Sequence, residues 1–175
     1  EMSGGIRRVS ITGCVFDGTD RGIRIKSRRG RGGAVEDVSV TGIVMNDVLC
    51  PLVINLMYFC GKDGKLPIVS DPNAQPVTDA TPHVRRIRMA DIVVTNAKSA
   101  AACLYGLPEA PLEDISIVNT QIHLVEDTPS FPVMNAVQQP VTLAGLTAQN
   151  VRGPPPAGLR IVGARGDRKS GAEGK

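Results

Sequence analysis

The stretch V-E-D-V-S-V-T-G-I-V-M, Val35 to Met45, decides the fold. Apolar residues at Val38 and Val40, and again at Ile43 and Met45, alternate with their neighbours, as in a strand with one buried face. The two-residue break between these alternating runs resets the phase. The chain therefore turns a corner there and keeps its apolar groups pointing inward, so each copy reads as two short strands meeting at a bend. The same spacing recurs as Ile6-x-x-Val9-x-Ile11-x-x-Cys14-x-Phe16, as Val84-x-x-Ile87-x-Met89-x-x-Ile92-x-Val94, and as Leu112-x-x-Ile115-x-Ile117-x-x-Thr120-x-Ile122. A weaker fifth copy reads Val141-x-Leu143-x-x-Leu146-x-Ala148. Equivalent positions at 9, 38, 87, 115 and 141 are separated by steps of 29, 49, 28 and 26.

A further short strand follows several copies: Gly22 to Lys26, Leu52 to Asn55 and Ala102 to Tyr105. Three short strands per turn of about 25 residues describe an all-β, right-handed parallel β-helix, here of about five coils. No single coil can bury its own apolar face, so stacking must build the core. A leucine-rich repeat has nearly the same spacing. Its Asn/Cys ladder position reads Cys14, Ile43, Ile92 and Thr120, which fits in one copy only, and the repeat length varies too much for a horseshoe. Composition agrees with a strand-rich chain. Val, Ile and Thr number 20, 13 and 10 among 175 residues, and Gly and Pro add 19 and 13.

The 49-residue step contains an insertion from about Gly61 to Thr81, rich in Pro and Gly and therefore a loop, of the kind that lines clefts on rigid scaffolds. Residues 128–140 read as a second loop. The expected domain is 1–162, with 163–175 a disordered tail whose Arg165-Gly-Asp167 is a chance match. The longest nearly apolar stretch, Cys50 to Cys60, is interrupted by Asn55 and is far short of the roughly 20 residues a spanning helix needs. Cys14, Cys50, Cys60 and Cys103 form no C-x-x-C, and His83 and His123 are isolated, so no metal site and no cofactor are expected. Cys50 and Cys60 could be bridged, but nothing requires it, and the lack of a disulfide framework leans slightly toward a reducing compartment.

Chemistry concentrates between Arg21 and Arg31. Arg21, Arg24, Lys26, Arg28, Arg29 and Arg31 are uninterrupted by any acid, while the other 14 basic residues face 17 acidic ones. A local positive strip points to an anionic partner. With Ile23 and Ile25 facing the core, Arg24 and Lys26 project from one outer face with Cα atoms about 6.5–7 Å apart. Such a pair can grip a carboxylate, Arg as a planar fork and Lys as a point charge. Nucleic acid is not the expected anion: no aromatics interleave with the cations, and the whole chain carries only +3.

The run GGIRRVSITGCVFDGTDRGIRIKSRRGRGG, residues 4–33, resembles glycoside hydrolase family 28, the polygalacturonases and their relatives. The R-I-K at Arg24, Ile25 and Lys26 looks like that family's substrate-binding motif. The following G-G and basic loop resemble its bacterial, often exo-acting, branch. The later PLVINLMY resembles the strand that ends in a family tyrosine at the sugar subsite, here Tyr58. The resemblance covers roughly residues 3–125. It implies a right-handed parallel β-helix and hydrolysis of α-1,4 galacturonate linkages in pectin with inversion. Inversion requires two carboxyl groups about 6.5–9.5 Å apart.

The family draws its acids from N-T-D and D-D motifs and a histidine from G-H-G, all ahead of R-I-K. None of these occurs in this sequence. The chain is therefore expected to lack the family's N-terminal coils and to contain none of the catalytic acids. Asp17 and Asp20 fit turn chemistry better than catalysis. Glu36–Asp37 and Glu113–Asp114 recur at one repeat position and read as solenoid surface. Arg24, Lys26 and Tyr58 are the expected substrate-binding residues, and an acidic polysaccharide the expected partner. A non-catalytic solenoid that binds acidic polysaccharide, or a polysaccharide lyase, are the alternatives. The strand Ile6 to Phe16 should be a raw edge through which chains self-associate.

Overall fold

The computed structural model describes residues 4–59, 61–125, 144–149, 151–152 and 157–162. Its strands are β1 (Ile6–Thr12), β2 (Val15–Asp17), β3 (Arg21–Lys26), β4 (Ala34–Asn46), β5 (Cys50–Asn55), β6 (His83–Ala97), β7 (Ala100–Tyr105), β8 (Leu112–Leu124), β9 (Ala144–Gln149), β10 (Val151–Arg152) and β11 (Ala157–Val162). They form two sheets. The first runs β1-β4-β6-β8-β10, with β2 on β4 and β11 on β8; the second runs β3-β5-β7-β9. Every pairing between these strands is parallel. The architecture is a parallel β-helix, in which each strand pairs with its counterpart one coil away.

The corners fall where the apolar pattern breaks. The second residue of each break lies in the left-handed region: Arg8, Asp37, Arg86 and Asp114 at one corner, Gly13, Gly42, Asp91 and Asn119 at the next, Gly18, Asp47 and Asn96 at a third. A single left-handed residue bends the strand without ending the ladder. Pairing between β4 and β6 passes over Asp37 and Gly42 and resumes on either side. The expected pair of short strands is consequently one long bent strand in β4, β6 and β8, and stays divided only as β1 and β2. Asp, Asn and Gly dominate these positions because a short polar side chain or none tolerates positive φ.

Inward positions stack in columns. Val40, Met89 and Ile117 are buried in register, as are Met45, Val94 and Ile122. Full burial of each such side chain contributes about 1.5–3 kcal/mol. The expected fifth copy is corrected by the pairing. Leu146 and Ala148 lie in β9, which joins β7 in the second sheet, so Leu146 stands in register with Leu52 and Ala102, and Ala148 with Ile54 and Leu104. The next first-sheet strand starts instead at Val151, opposite Leu112. Simple alternation at 144–149 is shared by both sheets, which is why spacing alone misplaced it. The 128–140 loop, the 163–175 tail and Cys60 lie outside the described residues.

Among the described residues, nothing covers the end of the stack at β1 and β3. Ile6 and Val15 are 54% and 76% exposed, and an apolar hollow of about 440 Å³ is lined by Val9, Ile11, Phe16, Ile23 and Ile25.

Candidate functional site

The outer face of the second sheet carries Arg24 and Lys26. Ile23 and Ile25 pair with Leu52 and Ile54 on the inner side, so Arg24 and Lys26 stand in register with Val53 and Asn55 on the outer side. Beyond β5 the chain folds back, with the Tyr58 amide donating to the Ser27 carbonyl at 3.1 Å. This brings the Tyr58 ring beneath both cations: Arg24 Cζ lies 4.9 Å and Lys26 Nζ 5.0 Å from its centroid. The three sequence-predicted residues therefore form one cluster. Tyr58 is only 7% exposed, so it works as a platform that orders the cations more than as an open stacking face.

Asn55 belongs to the same place and was passed over in the sequence except as an interruption of an apolar run. It is fully buried; its Oδ1 accepts from the Met57 amide at 2.7 Å, which fixes the turn that delivers Tyr58. Its interruption of eleven otherwise apolar residues was the available signal. A buried polar group needs a hydrogen-bonding reason to be there.

The rest of the basic strip divides by role. Arg21 pairs with Asp20 at 2.5 Å. Arg29 is buried and bidentate on Glu109 at 2.6 and 2.9 Å, and it also donates to the carbonyls of Ile68, Asp71 and Asn73. It thus clamps the 61–81 insertion and the 106–111 loop onto the end of β3. The Arg29 guanidinium holds the Glu109 carboxyl below the usual glutamate range. The Gly30 and Gly32 amides add bonds to the Ala80 carbonyl at 3.0 and 2.9 Å. A Cβ on Gly32 would lie 2.2 Å from the Asp79 carbonyl oxygen, so this approach needs glycine.

Asp17, Glu36 and Asp37 are held structurally. Asp17 accepts from Asn46 Nδ2 at 2.8 Å. Asp37 is exposed and paired with Arg86 at 2.6 Å. Glu36 corrects the expectation of a solenoid surface residue: it is 5% exposed, set among Arg7, Arg85 and Arg86 at 2.7, 2.6 and 2.8 Å. Hydrogen bonding from Arg85 outweighs burial and lowers its pKa. In register the column reads Arg7, Glu36, Arg85, Glu113, Arg152, alternating in sign coil by coil. Cys14, Cys50 and Cys103 are free thiols, and no group of three metal-ligating side chains occurs among the described residues.

The model of glycosyl hydrolases family 28 matches residues 3–139. A probable polygalacturonase of Vitis vinifera is 36% identical over 132 residues, 75% of this chain and 25% of that protein. An endo-polygalacturonase of Pectobacterium carotovorum subsp. carotovorum is 31% identical over 77 residues, 44% of this chain and 19% of its own length. A polygalacturonase of Ralstonia nicotianae is 37% identical over 71 residues, 38% of this chain and 13% of that protein. The chain spans about a quarter or less of the length of these relatives. No solved structure matches it.

Proposed function

The chain belongs to glycosyl hydrolases family 28, and from that premise we propose that it supplies the substrate-binding part of a pectin-degrading hydrolase that cleaves α-1,4 galacturonate linkages with inversion. One observation carries this reading: Arg24 and Lys26 lie on one outer face, each within 5.0 Å of the centroid of the Tyr58 ring. Two cations held this way suit a single uronate carboxylate, and each charge-assisted hydrogen bond is worth about 1.5–3 kcal/mol. Tyr58, buried beneath both cations, keeps them aimed. N-T-D, D-D and G-H-G are absent from these 175 residues, so the acid that protonates the leaving oxygen and the base that activates water come from outside them.

The test is binding of digalacturonate. Lys26→Ala should weaken it by about 1.5–3 kcal/mol. Tyr58→Leu should weaken it by about 0.5–2 kcal/mol, through loss of the cation–π contacts. Unchanged affinity in Lys26→Ala overturns the assignment. A second reading, a non-catalytic solenoid that binds acidic glycan, is favoured by the same missing motifs. A reducing-sugar assay on a longer protein that contains this chain separates the two. A product absorbing in the near ultraviolet would instead mark a lyase.

A further inference from the structure

Among the described residues, no acid pairs with the buried guanidinium of Arg28. Arg28 is 6% exposed, its one hydrogen bond runs from a terminal nitrogen to the Arg29 carbonyl at 2.9 Å, and its buried Nε has no partner. Desolvating a cation without a counter-charge is costly, and natural interiors avoid it unless something else supplies the anion. Gly30 packs close to this group: a Cβ there would lie 3.3 Å from its terminal nitrogen.

The group faces a cleft of about 500 Å³ between the end of β3 and the 61–81 insertion. Leu66, Ile68 and Pro76 give the cleft an apolar wall, and Gln75, Thr78 and Thr81 add polar groups. Two acids line it. Glu109 is neutralised by Arg29, and Asp63 sits exposed on a short turn that also carries Lys62 and Lys65. Among the described residues, the guanidinium of Arg28 is thus the cleft's buried cation that no acid pairs with.

We propose that this cleft is a second carboxylate-binding site, separate from the Arg24–Lys26–Tyr58 cluster, and that it takes another uronate unit of an acidic oligosaccharide. The carboxylate sits on the Arg28 fork, and the apolar wall meets a face of the sugar ring. Arg28 follows Lys26 by two residues, so their Cα atoms lie within about 7 Å, and one short oligomer spans both sites. The sugar's identity rests on the function proposed above; the demand for a carboxylate does not.

Equilibrium dialysis of the chain against radiolabelled galacturonate tests the proposal, with acetate as the bare carboxylate probe. The wild-type chain should bind two galacturonates, and Arg28→Met and Lys26→Ala should each retain one. Arg28→Lys, which keeps the charge and loses the fork, should weaken the second site about tenfold. Arg28→Met should also raise the melting temperature of the ligand-free chain, because it removes an uncompensated buried charge. A single wild-type site that Lys26→Ala abolishes and Arg28→Met retains overturns the second site and leaves the first standing. A lower melting temperature in Arg28→Met makes the residue structural and overturns the proposal. Acetate binding that depends on Arg28, without any galacturonate binding, overturns the uronate assignment at both sites.

Discussion

Arg29 and Glu109 stand 80 positions apart and meet with side chains only 7% and 3% exposed. Breaking a buried pair from one side strands the other charge, at a typical cost of about 3–5 kcal/mol. Arg29→Ala should lose stability on that scale, because Glu109 is left unpaired and three carbonyls of the insertion lose their donor. Denaturant melts would show it; a loss under 1 kcal/mol would show that the insertion docks without the clamp. The pH dependence has a definite sign. Glu36, Asp37, Asp71, Asp91 and Glu109 all have folded pKa values lowered by their partners. Their stabilisation is fully present above the unfolded values, near 4, and is lost as pH falls through the folded ones. The melting temperature should therefore drop on acidification below about pH 4, and Glu109→Gln should flatten part of that fall. A melting temperature unchanged down to pH 3 would refute the ion-pair account. At this scale the sequence was only partly readable. The outward pairing of Arg24 and Lys26 follows from alternation within one strand. The burial of Glu36 depends on partners 49 and 50 residues away, and only the register of the stack brings them together.

The corner is the element on which the fold turns. Gly42, Asp91 and Asn119 occupy one corner in successive coils, all at positive φ. A Cβ on Gly42 would meet nothing closer than 3.8 Å, so space is not what selects glycine there. Gly42→Ala should cost about 1–2 kcal/mol through left-handed strain alone. Gly42→Asn should be nearly neutral, as the neighbouring coils use Asn and Asp. Equal destabilisation by both, read from unfolding midpoints, would mean that the corner is fixed by packing and not by backbone conformation. Corners were the most legible part of the fold, since each two-residue break ends on a left-handed residue. Which sheet a strand joins was less legible. Residues 144–149 carry the same alternation as strands of either sheet, and only their partner β7 decides.

Across the whole molecule, the open end is the main liability. β1 and β3 are both terminal strands of their sheets, and the hollow between them is apolar. Edges unpaired among the described residues, beside exposed Ile6 and Val15, offer a template for another chain. Light scattering at micromolar concentration should show oligomers; a clean monomer would contradict this. Exposed edges were foreseeable from sequence, because a solenoid coil cannot cover its own face. What occupies them depends on another chain or segment, which no pattern within these residues encodes.

The alternating column Arg7, Glu36, Arg85, Glu113, Arg152 gives the stack a parity. Excising the single coil that carries Glu36 would set Arg7 against Arg85, like on like, whereas excising two consecutive coils would restore opposite neighbours. The same arithmetic governs duplication: an extra coil preserves the alternation at this corner only when it arrives with its complement. A repeat protein of this kind should therefore grow and shrink along this column in pairs, with the sign of one side chain counting the coils.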